Sequence, residues 1–213
     1  MNKFLIVHSI FSSIQGESSF AGYPCLFIRF AGCNLNCSYC DSRFNRDVST
    51  GTLLTQIQIL KEVRKSRLKH VCLTGGEPLL QKGLKSLALR LLYSGYSVSL
   101  ETNGSISISD MPKNMHIVMD IKCPGSGESK YFYRENLELL KPSDDIKFVI
   151  TDQNDYIWAK NFVRKYSLNK THRNVFFSPA FSQLNPKVLA GWMLKDSLDV
   201  RLHLQLHKLI GLE

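Results

Sequence analysis

Apolar positions recur along this chain in two rhythms. Short runs rich in Val, Ile, Leu and Phe predict strands near residues 26–31, 70–74, 96–102, 116–122, 145–150, 174–178 and 200–206. Longer segments with helical periodicity predict helices over about 53–67, 79–94, 131–140, 153–166 and 186–195. Two helix starts are punctuated. Asp152 stands as a cap before Asn154 to Tyr166, and Asn185-Pro186 places proline at a first helical position, where an N–H would be unpaired anyway. The stretch from Thr102 to His116 is too short for a packed helix, so that connection reduces to a loop around Asn103-Gly104-Ser105. Strands alternating with helices predict a parallel α/β architecture with right-handed crossovers. No linker or low-complexity stretch divides it, and a single domain over 1–213 is the simplest account.

Parity within the strands adds a cavity to this outline. Parallel strands covered on both faces usually read as unbroken apolar runs. Here Ser97, Ser99 and Glu101 oppose Val98 and Leu100, while Asp120 and Lys122 oppose Met119 and Ile121. Arg29 lies between Ile28 and Phe30, and Lys147 between Ile146 and Phe148. In the last segment Arg201, His203, Gln205 and His207 alternate with Val200, Leu202, Leu204 and Leu206. One apolar and one polar parity fit a curved sheet or partial barrel, with helices outside and a polar cavity inside.

Composition sets limits on that outline. With 213 residues, 44% hydrophobic and 21% charged, the chain is an ordinary globular protein, which excludes disorder, collagen and coiled coil. It is short for an eight-unit barrel, which takes about 250 residues. The 27 basic and 18 acidic residues leave a charge of +9 that attracts anions. Lys61, Arg64, Lys65, Arg67 and Lys69 have helical spacing and read as a solvated face; no nucleic-acid motif is present. No apolar run of about 18 residues predicts a membrane span, and the opening residues turn polar too early for a signal peptide. The expected location is the cytoplasm, where six cysteines stay reduced and clustered ones serve metals or catalysis.

Three of them do cluster. Cys33, Cys37 and Cys40 form a C-x3-C-x2-C triplet directly after a predicted strand. Structural zinc takes four protein ligands, often as two pairs, and no second pair lies nearby; haem attachment needs C-x-x-C-H, but Asp41 follows Cys40. Three thiolates suit three irons of a 4Fe-4S cubane and leave the fourth iron open, while a zinc or other structural site stands as the alternative. With Tyr39 before the last cysteine, the triplet resembles the radical S-adenosylmethionine (SAM) superfamily. Leu73-Thr74-Gly75-Gly76-Glu77-Pro78 resembles that superfamily's GGE motif, which binds the SAM amino group; Glu77 can accept from an ammonium.

Three further motifs narrow the resemblance: Ser13-Ile14-Gln15-Gly16-Glu17-Ser18, Leu100-Glu101-Thr102-Asn103-Gly104, and the closing Leu204-Gln205-Leu206-His207-Lys208 through Glu213. In this order they resemble the 7-carboxy-7-deazaguanine synthase (QueE) family over essentially the whole chain. That resemblance implies an incomplete (β/α)6-type TIM-like barrel with reduced helices, with SAM and substrate at the C-terminal ends of its strands. It also implies conversion of 6-carboxy-5,6,7,8-tetrahydropterin to 7-carboxy-7-deazaguanine with loss of ammonia. In the family a deoxyadenosyl radical abstracts the C6 hydrogen and returns it after rearrangement, and magnesium assists.

By the same resemblance Cys33, Cys37 and Cys40 hold the cluster. Ser42, where the family usually has threonine, ligates magnesium; serine keeps the oxygen that a hard cation needs. Tyr39, Gly76, Glu77, Asp120, Ile121, Lys122, Ser178 and Pro179 contact SAM. Ile14, Gln15, Gly16, Arg29, Thr74, His207 and the terminus of Glu213 contact the pterin, Arg29 through its bidentate fork on a carboxylate. Ser18 departs from the family's usual glycine. The implied partners are a flavodoxin or ferredoxin as electron donor and a second copy of the chain in a homodimer, with no nucleic acid and no membrane. Cys25, Cys72 and Cys123 read as small core residues. Two competing readings are another small radical SAM enzyme, such as a glycyl-radical-enzyme activase, and a basic nucleic-acid-binding module with a structural metal.

Overall fold

The computed structural model describes residues 4–212. Its strands are β1 (Phe4–Ile14), β2 (Pro24–Phe30), β3 (Thr52–Thr55), β4 (His70–Gly75), β5 (Ser97–Thr102), β6 (His116–Asp120), β7 (Asp145–Ile150), β8 (Asn174–Pro179) and β9 (Arg201–Leu202). The helices are α1 (Gln56–Ser66), α2 (Leu84–Tyr93), α3 (Asn136–Leu139), α4 (Gln153–Tyr166), α5 (Leu168–Thr171), α6 (Pro186–Lys195) and α7 (Leu206–Leu209). All nine strands join one sheet in the order β3-β1-β2-β4-β5-β6-β7-β8-β9.

From β2 through β4 to β9 the pairing is parallel. Six of these strands are long, which is the incomplete (β/α)6 arrangement expected, and β9 contributes two residues. Since β3 and β9 lie at opposite ends without pairing, the sheet stays open and does not close into a barrel. The alternation in the strands divides its two faces. Ile28, Phe30, Leu73, Leu100, Ile146, Phe148 and Phe177 are fully buried and pack with Ile59, Leu87, Leu91, Ala159 and Leu189 of the helices. Each such large side chain contributes about 1.5–3 kcal/mol by leaving water. The opposite parity carries the polar residues of the lumen.

Helix punctuation agrees where it was read: the Asp152 carboxylate accepts from the Asp155 amide, and Asn185 caps α6 ahead of Pro186. Four expectations are corrected. The antiparallel strands β1 and β3 precede or interrupt the predicted pattern, and β3 occupies the start of the segment expected to be helix from 53. Helix α1 begins at Gln56 because Thr55 and Gln58 form a capping box, a signal present in the sequence. The helix expected over 131–140 shrinks to α3. Asn136 is fully buried and spends its amide on the backbone of Ile108, Ile106 and Gly104, and Pro142 disfavours helix just beyond. The strand expected over 200–206 spans only Arg201–Leu202, and its apolar parity gains little from burial, since Leu202 and Leu204 remain over a third exposed. His207 therefore lies on α7, not on a strand.

Candidate active site

The C-terminal ends of the parallel strands surround a cavity of about 440 Å³. Cys33, Cys37 and Cys40 line it from the loop after β2. That loop is pinned at both ends. The Gly32 and Cys33 amides donate to the carbonyls of Asn45 (2.9 Å) and Arg46 (3.0 Å). Ser38 donates through its amide to Ser126 (3.0 Å) and through its hydroxyl to Gly125 (2.7 Å). The end of β4 packs directly against it: a Cβ on Gly76 would stand 2.1 Å from the Gly32 carbonyl oxygen and 3.0 Å from Cys33 Cβ. Only glycine fits at that approach.

Burial pushes the Cys37 thiol up to about 11 against the pull of the Lys122 ammonium, and burial raises Cys33 as well. Metal binding displaces such protons. Among the described residues no three His, Cys, Asp or Glu side chains converge to hold a single metal ion. Three thiols lining one cavity suit a polynuclear cluster in which each takes its own iron.

Across the cavity stands a buried charge network. Lys147 Nζ lies 2.5 Å from Glu17 Oε2 and 3.1 Å from Asp120 Oδ2, and Lys122 Nζ lies 3.0 Å from the same Asp120 oxygen. Burial alone would raise the Glu17 carboxyl, but the Lys147 ammonium and a hydrogen bond from Gln205 hold it well below the usual carboxylate range. Glu101 shifts the other way, raised by burial and by the neighbouring Glu17 charge, although Thr74 Oγ1 (2.8 Å) and Gln15 Nε2 (3.1 Å) donate to it. Asp120 Oδ1 is buried and without a hydrogen-bond partner among the described residues, an acceptor placed on the cavity wall. Five basic residues (Arg43, Arg46, Lys122, Lys147, Lys208) and four acidic ones (Glu17, Asp41, Glu101, Asp120) line the space, an environment for ligands carrying both signs.

The C-terminal segment crosses the mouth. Lys208 Nζ reaches Asp41 Oδ2 (2.5 Å) and lies 4.8 Å from the Phe181 ring, and the Ser42 hydroxyl donates to Asp41 Oδ1 (3.0 Å). The Leu206 amide donates to the Gly16 carbonyl (2.9 Å). A Cβ on Gly16 would meet His207 Nδ1 at 1.9 Å, so the glycine makes room for the histidine.

Of the residues singled out in the sequence, Cys33, Cys37, Tyr39, Cys40, Ser42, Thr74, Gly76, Asp120, Lys122, Ser178 and Pro179 line this cavity. Others stand behind its walls. Glu77 is fully buried; burial raises its carboxyl to about 6 while the amides of Asn103 and Leu79 and the Thr102 hydroxyl donate to it, making it a brace between the β4 and β5 loops. Ile121 is core, and Gln15 backs Glu101. Ile14 ends β1, and Gly16 and His207 pack on each other. The Arg29 guanidinium sits 4.7 Å from the Phe11 ring and 5.5 Å from that of Phe44. Glu213 lies outside the described residues. Glu17, Asp41, Lys147, Gln205 and Lys208 had no role assigned from the sequence. Inward parity marks Lys147 and Gln205, whereas Glu17, Asp41 and Lys208 meet the site only through tertiary contacts.

The Radical SAM superfamily model matches residues 27–116. The chain is 42% identical to "7-carboxy-7-deazaguanine synthase" of Koribacter versatilis, over 96% of this chain and 96% of that protein. It is 41% identical to the protein of the same description from Chlorobaculum tepidum, over 97% of this chain and 94% of the other. Among solved structures, QueE from Escherichia coli superposes with a TM-score of 0.78 at 20% identity, covering 96% of this chain and 95% of that one, which is a likeness of fold.

Proposed function

The chain belongs to the 7-carboxy-7-deazaguanine synthase family of the radical SAM superfamily, and on that premise we propose that it is a carbon–nitrogen lyase of 7-deazapurine biosynthesis. Its reaction is the conversion of 6-carboxy-5,6,7,8-tetrahydropterin to 7-carboxy-7-deazaguanine with loss of ammonia. The observation that carries this reading is the meeting, in one cavity, of the three thiols with the Glu17, Glu101, Asp120, Lys122 and Lys147 network. A low-potential 4Fe-4S cluster with SAM supplies one-electron chemistry that begins hydrogen abstraction.

The chain's own residues then bind and orient. Cys33, Cys37 and Cys40 would hold the cluster, with Tyr39 beside them on the cavity wall. Gly76, held against Gly32 and Cys33, would offer SAM its backbone, and Asp120, Lys122, Ser178 and Pro179 would offer it polar and apolar contacts. Thr74 and Glu101 face the pterin, with Gln15 holding Glu101 from behind. Ile14, Gly16 and His207 shape that wall, Glu77 and Ile121 brace the SAM side, and Arg29 supplies the charge for the substrate carboxylate. The Ser42 hydroxyl and the adjoining Asp41 carboxylate give magnesium two hard oxygen donors.

Residues 1–213 act as one radical SAM core domain, in the cytoplasm and reduced by a flavodoxin or ferredoxin; the single sheet supports the one domain. No helix among the described residues is long and apolar enough to cross a membrane. Exposed Leu53 on the edge strand β3 and exposed Phe4 on the neighbouring β1 support a homodimer. The deciding experiment is anaerobic incubation of the reconstituted protein with SAM, dithionite and the carboxytetrahydropterin. Absence of the deazaguanine product with the cluster intact rejects the reading.

A further inference from the structure

At the N-terminal ends of the parallel strands, below the cavity, the loop between β1 and β2 folds across the lumen. Its Phe20 ring stands 4.8 Å from His116 and 5.7 Å from His70, the first residues of β6 and β4. One turn of this loop carries Ser18, buried at φ +65, a conformation that non-glycine residues hold only when their surroundings impose it. The surroundings here are largely one strand. Asp145, the fully buried first residue of β7, accepts from the Ser19 amide (2.7 Å) and the Ser19 hydroxyl (2.9 Å) on one carboxylate oxygen, which also lies 3.1 Å from His116 Nε2. Two residues further along β7, Lys147 holds Glu17, two residues before Ser19. The loop is thus clamped at matching positions on both chains, and its near end is a wall of the active cavity.

We propose that Asp145 is a positioning residue for the reaction: by fixing Ser19 it sets the loop that presents Glu17, and with it Gln15 and Gly16, to the substrate. Asp145 does not line the cavity, so it acts through the loop. A hydrogen bond from a backbone amide to a buried carboxylate is among the stronger single hydrogen bonds, and its position is passed to Glu17 through the one turn at Ser18. A hydrolytic role for Ser19, His116 and Asp145 does not fit. The Ser19 hydroxyl donates to the carboxylate itself, and the space beside Phe20 is about 10 Å³.

This inference rests on the proposed activity for its kinetic arm, so the test carries a second arm that does not. Reconstituted wild type, Asp145→Ala, Asp145→Asn and Ser19→Ala are compared for pterin KM and kcat, for SAM cleavage by dithionite without pterin, and for amide hydrogen exchange over residues 16–22. Asp145→Ala is expected to raise KM about tenfold with kcat changed less than about threefold, because it removes a charge-assisted bond that the reacting atoms do not use. Its cluster absorbance and pterin-free SAM cleavage stay at wild-type values, and exchange over 16–22 accelerates. Asp145→Asn keeps an acceptor and restores KM to within about threefold. Ser19→Ala, which keeps the amide bond, gives a smaller rise than Asp145→Ala.

Unchanged KM and exchange in a folded Asp145→Ala overturn the proposal, as does a parallel loss of kcat, KM and cluster binding. If Asp145→Ala fails to fold, unaltered exchange over 16–22 in Ser19→Ala overturns it and faster exchange upholds it. Wild type that makes no deazaguanine while the exchange arm responds as expected refutes the proposed activity and leaves the clamp standing.

Discussion

Replacing Lys147 by methionine keeps an unbranched side chain of similar length and removes the ammonium that lies against both Glu17 and Asp120. Asp120 retains Lys122 at 3.0 Å, but among the described residues the Glu17 carboxylate keeps only the Gln205 side-chain amide as a hydrogen-bond donor. Both Lys147 and Glu17 side chains are 13% exposed, so screening by solvent is slight. Breaking one partner out of a buried pair leaves an uncompensated charge, and the loss of stability is about 3–5 kcal/mol. At about 2–4 °C per kcal/mol for a chain of this size, the melting temperature falls by about 6–20 °C. The sign of the pH dependence follows from Glu17. Its folded pKa is depressed, so its contribution is complete above the unfolded value of about 4.3 and is lost as pH falls through the folded one. In the variant, burial without a cation favours the protonated acid, so the gap between the two proteins is widest near pH 7 and narrows below about pH 4. Anaerobic thermal denaturation of the metal-free chain at several pH values measures this, and the double variant Lys147→Met/Glu17→Gln should regain most of the loss. A loss under about 1 kcal/mol at pH 7, the range of surface pairs, or a gap that widens on acidification refutes the reasoning.

Cys37→Ser is expected to abolish the visible absorbance of the reconstituted cluster together with SAM cleavage; a variant that still binds four irons per chain with wild-type spectra removes Cys37 from the ligand set. Gly76→Ala forces a methyl group toward the Gly32 carbonyl at 2.1 Å, and the chain should lose about 1–3 kcal/mol in denaturant titration along with cluster retention; wild-type retention contradicts the close approach. Thr55→Ala removes the capping box of α1 and should lower stability by about 1 kcal/mol, or 2–4 °C in melting temperature, with turnover unchanged.

The parallel half of the fold was legible because each long strand states its two faces locally. Glu101, Asp120 and Lys147 were marked as inward by parity alone, and all three line the cavity. The antiparallel strands were not, because Phe4 to Ile14 is one of two strands outside the repeating unit and its partner β3 spells only Thr-Leu-Leu-Thr, parted from an amphipathic helix by nothing but the Thr55–Gln58 capping box. The ending failed for the opposite reason. Arg201 to His207 alternates well, but alternation predicts a strand only where something covers its apolar side, and Leu202 and Leu204 stay over a third exposed. The cysteine triplet declares its chemistry by spacing, whereas the clamp of Lys208 on Asp41 joins residues 167 positions apart and has no local signature.

Strand order along β4 to β9 follows chain order. Each of these strands, on emerging, finds its neighbour already in place, so this part of the sheet can be assembled in the sequence of synthesis with mostly short loop closures. The thiols belong to the opening of that sequence and the lid over them to its close: Cys33 to Cys40 follow β2, while Gln205 and Lys208 arrive last. The wall of the cavity is therefore complete only when Gln205 and Lys208, the last of its lining residues in chain order, are docked against residues near its start.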